Sequence, residues 1–162
     1  MVKIIGIDPG LADTGIGIVT GEGLKVKGYS YGTVSTSKNT PLPGRLAKIY
    51  SRLHAILIEE KPQQMIVEEA FSLNQYPKSG IVLGKVTGVI LLAGHQCGVP
   101  TVEVSVRAAK QILTGNGNAD KSQLEKAVRQ RLKLKAAVRP DHASDALGLA
   151  LIGLYRFREG LI

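Results

Sequence analysis

The stretch KIIGIDPGLADTGIGIVT, Lys3 to Thr20, decides the fold. KIIGID (3–8) is a compact apolar run rich in β-branched residues and reads as a buried strand. Pro9-Gly10 is a turn signal, and TGIGIVT (14–20) is a second strand. LKVKGYSYGTVS (24–35) alternates apolar and polar residues and completes a three-strand meander. Successive strand residues point to opposite faces, so Asp8 shares a face with Ile4 and Gly6. A carboxylate thus emerges from the end of an apolar strand, a position where α/β sheets commonly present functional groups. The competing reading is that Asp8 only starts the turn with Pro9-Gly10.

Further along, Leu46, Ile49, Tyr50, Leu53, Ile56 and Leu57 have helical spacing within 42–60, and Pro62 ends that helix. QMIVE (64–68) is a short buried strand. After the polar loop SLNQYPKSG come an apolar helix (80–97), the strand TVEV (101–104) and a short helix (105–113). TGNGNADKS turns into a charged helix (120–133), and a last helix starts at Pro140, a residue suited to a first helical position. The order βββαβαβααα predicts an α/β domain over residues 1–162, a five-stranded mixed sheet flanked by helices.

The 162 residues carry 21 Lys plus Arg against 13 Asp plus Glu, a net charge of +8 that favours a polyanionic partner, nucleic acid first. Cys97 is the sole cysteine, which excludes a disulfide framework and suits a reducing cytoplasm. It reads as a small buried hydrophobe. The N-terminus lacks a signal-peptide pattern. The most apolar later run, VTGVILLAG, is too short for a bilayer, so a soluble protein is expected.

Carboxylates recur at three places. In MIVEEAF, Glu68 shares a face with Ile66, while Glu69 falls on the other side and reads as a solvated strand end. In PDHASDALGLALIGL (140–154), Asp141 and His142 flank the direction of Asp145 at about 100° per residue. Helix-dipole stabilisation is sufficient explanation for Asp141, less so for Asp145 one turn further in. If the three places converge, they form a hard, oxygen-rich site suited to Mg²⁺ or Mn²⁺. In a basic protein such a site suits metal-assisted chemistry on phosphate, in which two ions can activate water and steady the leaving oxygen.

GIDPGLADTGIGIV, VEEAF, VRAAKQILTGNGNADKSQ and DHASDALGLAL resemble, in order and spacing, the four motifs of the RuvC family of Holliday-junction resolvases. The resemblance spans nearly the whole chain. It implies a ribonuclease-H-like fold, a homodimer, and Mg²⁺-dependent cleavage of four-way junctions. The expected products are paired nicks in strands of like polarity, with 5′-phosphate and 3′-hydroxyl ends. It also implies partnership with the branch-migration proteins RuvA and RuvB. By motif, Asp8, Glu68 and Asp145 are the implied catalytic metal ligands, two Mg²⁺ per site being expected. His142 stands where many members carry Asp, and is read as the fourth ligand or as a general acid or base. Asp141 is the alternative to it.

Lys110 and Lys121 match basic family positions and are candidate phosphate contacts, the latter at a helix start that favours anions. Phe71 matches the family's junction-wedging aromatic and is assigned to stacking on an unpaired base. Asn74, Gln75, Tyr76 and Lys78 are the candidates for reading sequence near the cut. Gly115 and Gly117 punctuate helices and offer backbone amides to a phosphate. Gly80, Gly84 and Gly88 form a small-residue stripe that fits packing within the monomer and packing in a dimer equally well. Three other readings compete. GIDPGLADTG also resembles the phosphate hairpin of actin-like ATPases, which need a longer chain; an RNA-directed ribonuclease-H-like nuclease and a non-cleaving junction binder remain. The last would be marked by loss of an acidic motif, and none is lost.

Overall fold

The computed structural model describes residues 1–71, 75 and 77–157. The elements follow the expected order: β1 (Val2–Asp8), β2 (Asp13–Glu22), β3 (Lys25–Ser35), α1 (Leu42–Glu60), β4 (Gln64–Glu68), α2 (Pro77–Gln96), β5 (Thr101–Val104), α3 (Val106–Thr114), α4 (Lys121–Arg131) and α5 (Asp141–Arg156). The sheet order is β3-β2-β1-β4-β5. The meander is antiparallel, and β1 pairs in parallel with β4, as β4 does with β5. Ile7 of β1 lies opposite Val67 of β4, so Asp8 and Glu68 end neighbouring parallel strands side by side.

Strand alternation divides the core in two. Ile5, Ile7, Met65 and Val67 pack on one face under α1 (Ile49, Leu53, Leu57) and α2 (Val86, Ile90, Ala93). Ile4, Val19 and Ile66 pack on the other under α5, with α3 and α4 outside it. α5 is apolar all round from Ala146 to Leu154, as a central helix must be.

What seats α5 is glycine. A Cβ on Gly6 would lie 2.0 Å from the Ala146 carbonyl oxygen, one on Gly15 2.0 Å from that of His142, and one on Gly17 2.4 Å from the Leu147 nitrogen. Gly6 and Gly17 face each other across β1 and β2, and Gly15 faces Asp8. The bare patch lets the helix backbone lie directly on the sheet, and its upper edge is the Asp8 end.

Apart from shifts of one or two residues at other element ends, three features differ from expectation. α2 begins at Pro77 rather than at residue 80, because proline is tolerated in a first turn. Pro140 is the extended N-cap of α5 and not its first helical residue. The apolar run in α2 belongs to a twenty-residue helix, long and apolar enough by composition to cross a bilayer, against the expected short run. Here its Val86, Ile90 and Ala93 pack into the core beside α1.

Candidate active site

β1 and β4 bring Asp8 and Glu68 to one sheet edge, and α5 lays its first turns across it. His142 Nδ1 stands 2.7 Å from Asp8 Oδ2. With Asp8 ionised the carboxylate accepts and the ring donates from Nδ1, and Nε2 has no hydrogen-bond partner among the described residues. Lys121, the first residue of α4, reaches over the same edge, its Nζ 3.5 Å from Asp141 Oδ2 and 3.8 Å from Asp145 Oδ2. α4 is held in place by a reciprocal capping box in which Asp120 and Gln123 satisfy each other's backbone N–H groups. A cleft of about 230 Å³ opens between the starts of α4 and α5, lined by Lys121, Ser122, Glu125, Arg139, Asp141, Ser144 and Asp145.

The electrostatics tie these groups into one site. Burial pushes the Glu68 carboxyl up to about 7, with further upward pressure from the charges of Asp8 and Asp145 and relief from His142 and Lys121. Burial likewise raises Asp8, offset in part by the His142 hydrogen bond and charge and by Lys121. Asp145 is raised by burial and then by Asp8, with Lys121 and His142 opposing. Asp141 differs. What desolvation raises there is outweighed by its hydrogen bond and ion pair with Arg139 and by Lys121, so its carboxyl lies below the ordinary range. It is a rim residue held by cations.

Three carboxyls raised by burial, with the charge of Asp8 raising Glu68 and Asp145 further, form a hard oxygen donor set, the chemistry a divalent cation fits, and the cation would remove the repulsion. In these rotamers the set is not a closed cage. Among the described residues no three His, Cys, Asp or Glu side chains stand close enough together to grip an ion. The physical reason is visible: Asp8 turns to His142 and Asp145 to Lys121, the nearest positive or donating partners.

The other sequence candidates separate. Glu69 is exposed, as expected. Phe71 is 54% exposed just beyond β4 and available to a ligand. Lys78 lies in the first turn of α2 beside Leu11 of the β1–β2 turn. Asn74 and Tyr76 lie outside the described residues. Lys110 sits half-buried on α3 and is not among the charges acting on Asp8, Glu68 or Asp145, whereas Lys121 acts on all three. Gly115 is a left-handed C-cap of α3 at φ 78°. Among the described residues nothing lies within 4 Å of a Cβ added at Gly84 or Gly88, so these two positions of the stripe are open. Sequence reasoning missed the Arg139–Asp141 pair, which spacing could have suggested, and the His142–Asp8 hydrogen bond, which nothing local signals.

The family model for the crossover junction endodeoxyribonuclease RuvC matches residues 4–153. The chain belongs to the RuvC family. It is 40% identical over 157 residues to the RuvC of Syntrophomonas wolfei, covering 97% of this chain and 91% of that one. A solved structure of T. thermophilus RuvC in complex with a Holliday junction substrate matches with TM-score 0.88 and 34% identity, over 96% of this chain and 94% of the other. The yeast mitochondrial Holliday junction resolvase Ydc2 matches at 12% identity and TM-score 0.62, which speaks for the fold alone. That fold, in RuvC proteins, is the ribonuclease-H-like α/β fold.

Proposed function

We propose that this protein is a structure-selective endonuclease that resolves Holliday junctions by paired nicks, with Asp8, Glu68, His142 and Asp145 as its metal-binding and catalytic residues. The observation that carries the reading is the meeting of Asp8 and Glu68, at adjacent parallel strand ends, with His142, Asp145 and Lys121 at one sheet edge. Family membership supplies the substrate. Mg²⁺ is the proposed ion, two per site, with Mn²⁺ as a substitute; when bound it supplies Lewis-acid activation of water and charge neutralisation at the phosphate. The side-chain oxygens of Asp8, Glu68 and Asp145 would hold it.

The chain's own groups do the rest. Lys121 Nζ, positioned over the carboxylates, takes up the non-bridging oxygens of the scissile phosphate as the anion displaces Asp141 and Asp145 from it. His142, steadied through Nδ1 by Asp8, presents Nε2 to a ligand or a proton, and either use needs the neutral ring. Glu68 must ionise before it can bind a cation, so its elevated carboxyl couples metal uptake to pH. Phe71 is proposed to stack on an unpaired base at the crossover, with Asn74, Tyr76 and Lys78 near the cut and Lys110 on a flanking phosphate.

We place the whole activity in one domain spanning residues 1–162, acting as a homodimer in the cytoplasm. The α2 face carrying exposed Ile81, Gly84, Gly88 and Leu92 supports the dimer, since small residues allow close helix approach. Receipt of junctions from RuvA and RuvB rests on family membership. The test compares a synthetic four-way junction with linear duplex, each with Mg²⁺ or EDTA. Symmetric nicks on the junction alone, with metal alone, are expected; equal cutting of duplex overturns the reading.

A further inference from the structure

The sheet end opposite Asp8 carries a second feature that the catalytic site does not use. A groove of about 670 Å³ lies between the β2–β3 turn and the end of α4, lined by Leu24 to Tyr29 and by Arg131, Leu132 and Lys133. Its ionisable lining is Lys25, Lys27, Arg131 and Lys133, with no carboxylate. Lys27 sits at the β-bulge, where Thr20 pairs with Gly28 and Gly21 with Val26, leaving it as the extra residue. Lys133 occupies the left-handed position after α4 at φ 54°, in a turn closed by Lys133 N–H to the Gln130 carbonyl and Leu134 N–H to that of Arg129.

A polar aromatic stripe leads from this groove towards the active site. Tyr29, Tyr31 and Thr33 lie opposite Val19, Gly17 and Gly15, on the face that holds α5. The two rings are stacked at 6.5 Å and stand 42% and 47% exposed. The stripe ends at Gly15, beneath His142.

We propose that this groove binds the phosphate backbone of a duplex arm of the substrate, a fixed distance from the cut; the inference rests on the junction-resolvase reading. Two rulers give the distance. From Thr33 to Lys25 the strand runs about 25 Å at 3.3 Å per residue. Along α4, Lys121 to Arg131 is about 15 Å at 1.5 Å per residue. At about 3.4 Å per base pair the groove meets the arm roughly four to eight base pairs from the scissile phosphate. The lysines and arginine neutralise phosphates there, and the tyrosine hydroxyls offer donors to them without reading sequence.

The test couples protein and DNA changes by measuring affinity for a long-armed four-way junction against salt. The DNA change is a patch of uncharged methylphosphonates at that distance from the crossover, or further out as a control. The protein change is Lys25→Ala, Lys27→Ala and Lys133→Gly together, the last chosen because glycine suits its left-handed turn. The proposal expects the variant to bind about tenfold more weakly or worse, with a log–log salt slope shallower by about 0.9 per lost contact. It also expects an unaltered melting temperature and no further loss with the near patch. Wild-type binding of the variant, or near-patch and variant losses that simply multiply, overturns it; an acidic protein partner for the groove is then the remaining use of its charge. A linear duplex titrated in parallel scores the resolvase reading separately, through wild-type preference for the junction.

Discussion

Replacing Glu68 by Gln should make the metal-free protein more stable at alkaline pH and change little in acid. The folded state holds the Glu68 carboxyl at about 7, against an ordinary 4.5, because of burial and then the charges of Asp8 and Asp145. A raised carboxyl means that the folded protein binds the proton more tightly than the unfolded chain does. The stabilisation linked to that proton is complete below 4.5 and is lost as pH rises through 7. At about 1.4 kcal/mol per pH unit the full cost of the charge at pH 8 is bounded near 3 kcal/mol. Glu68 keeps some solvent contact, so about 2 kcal/mol is the working figure. Glutamine keeps the shape without the charge. In EDTA at pH 8 the Glu68→Gln protein should melt about 4–8 °C higher than wild type, at 2–4 °C per kcal/mol for a chain of this size. At pH 4.5 the difference should shrink to about 1–2 °C. Adding Mg²⁺ at pH 8 should stabilise wild type more than the variant, because only the carboxylate rewards the ion. A Glu68→Gln protein that melts below wild type at pH 8 in EDTA, or by the same margin at both pH values, would refute the reasoning.

Gly15→Ala places a methyl 2.0 Å from the His142 carbonyl oxygen, so α5 must move off the sheet. A loss of about 3 kcal/mol or more and failed cleavage are expected from melts and single-turnover assays; wild-type behaviour would contradict the seating role. Lys121→Ala should shallow the salt slope of binding by about 0.9. It should also shift the acid limb of the cleavage profile to higher pH, since its charge lowers Asp8, Glu68 and Asp145. An unmoved limb and slope would remove it from the site. Phe71→Ala, at an exposed position, should leave stability within about 0.5 kcal/mol. It should weaken junction binding by about 1–3 kcal/mol, read with a fluorescent base at the crossover, and an unquenched signal unaffected by the change would count against stacking.

The parts of this molecule governed by local rules were legible from the chain. Period-two alternation put Asp8 with Gly6 and Glu68 with Ile66, and both pairs lie on the α5 face. Helical spacing brought Asp141, His142 and Asp145 to one neighbourhood, as α5 shows. Motif and position mark His142 as the site residue and Asp141 as a helix-dipole residue; their actual partners were not legible, because they depend on contacts between distant segments. His142 turns to Asp8, 134 positions away, while Asp141 is drawn to Arg139 and Lys121 at the rim. The seating role of Gly6, Gly15 and Gly17 had no local signal either, because it depends on the backbone of α5, more than 120 positions away. Lys110 and Lys121 both match motif positions, with Lys121 marked further by its helix start. The placement of α3 and α4 completes the separation by putting, of the two, only Lys121 among the charges acting on the three carboxyls.

The central claim is that Asp8, Glu68 and Asp145 form one divalent-cation site. Mn²⁺ binding, followed by electron paramagnetic resonance at pH 8 on wild type, Asp8→Asn, Glu68→Gln and Asp145→Asn, tests it most directly. The account predicts saturable binding by wild type, a loss of tenfold or more in each variant, and folded variants that still bind junction DNA without cutting it. Unchanged Mn²⁺ affinity in all three variants would contradict it.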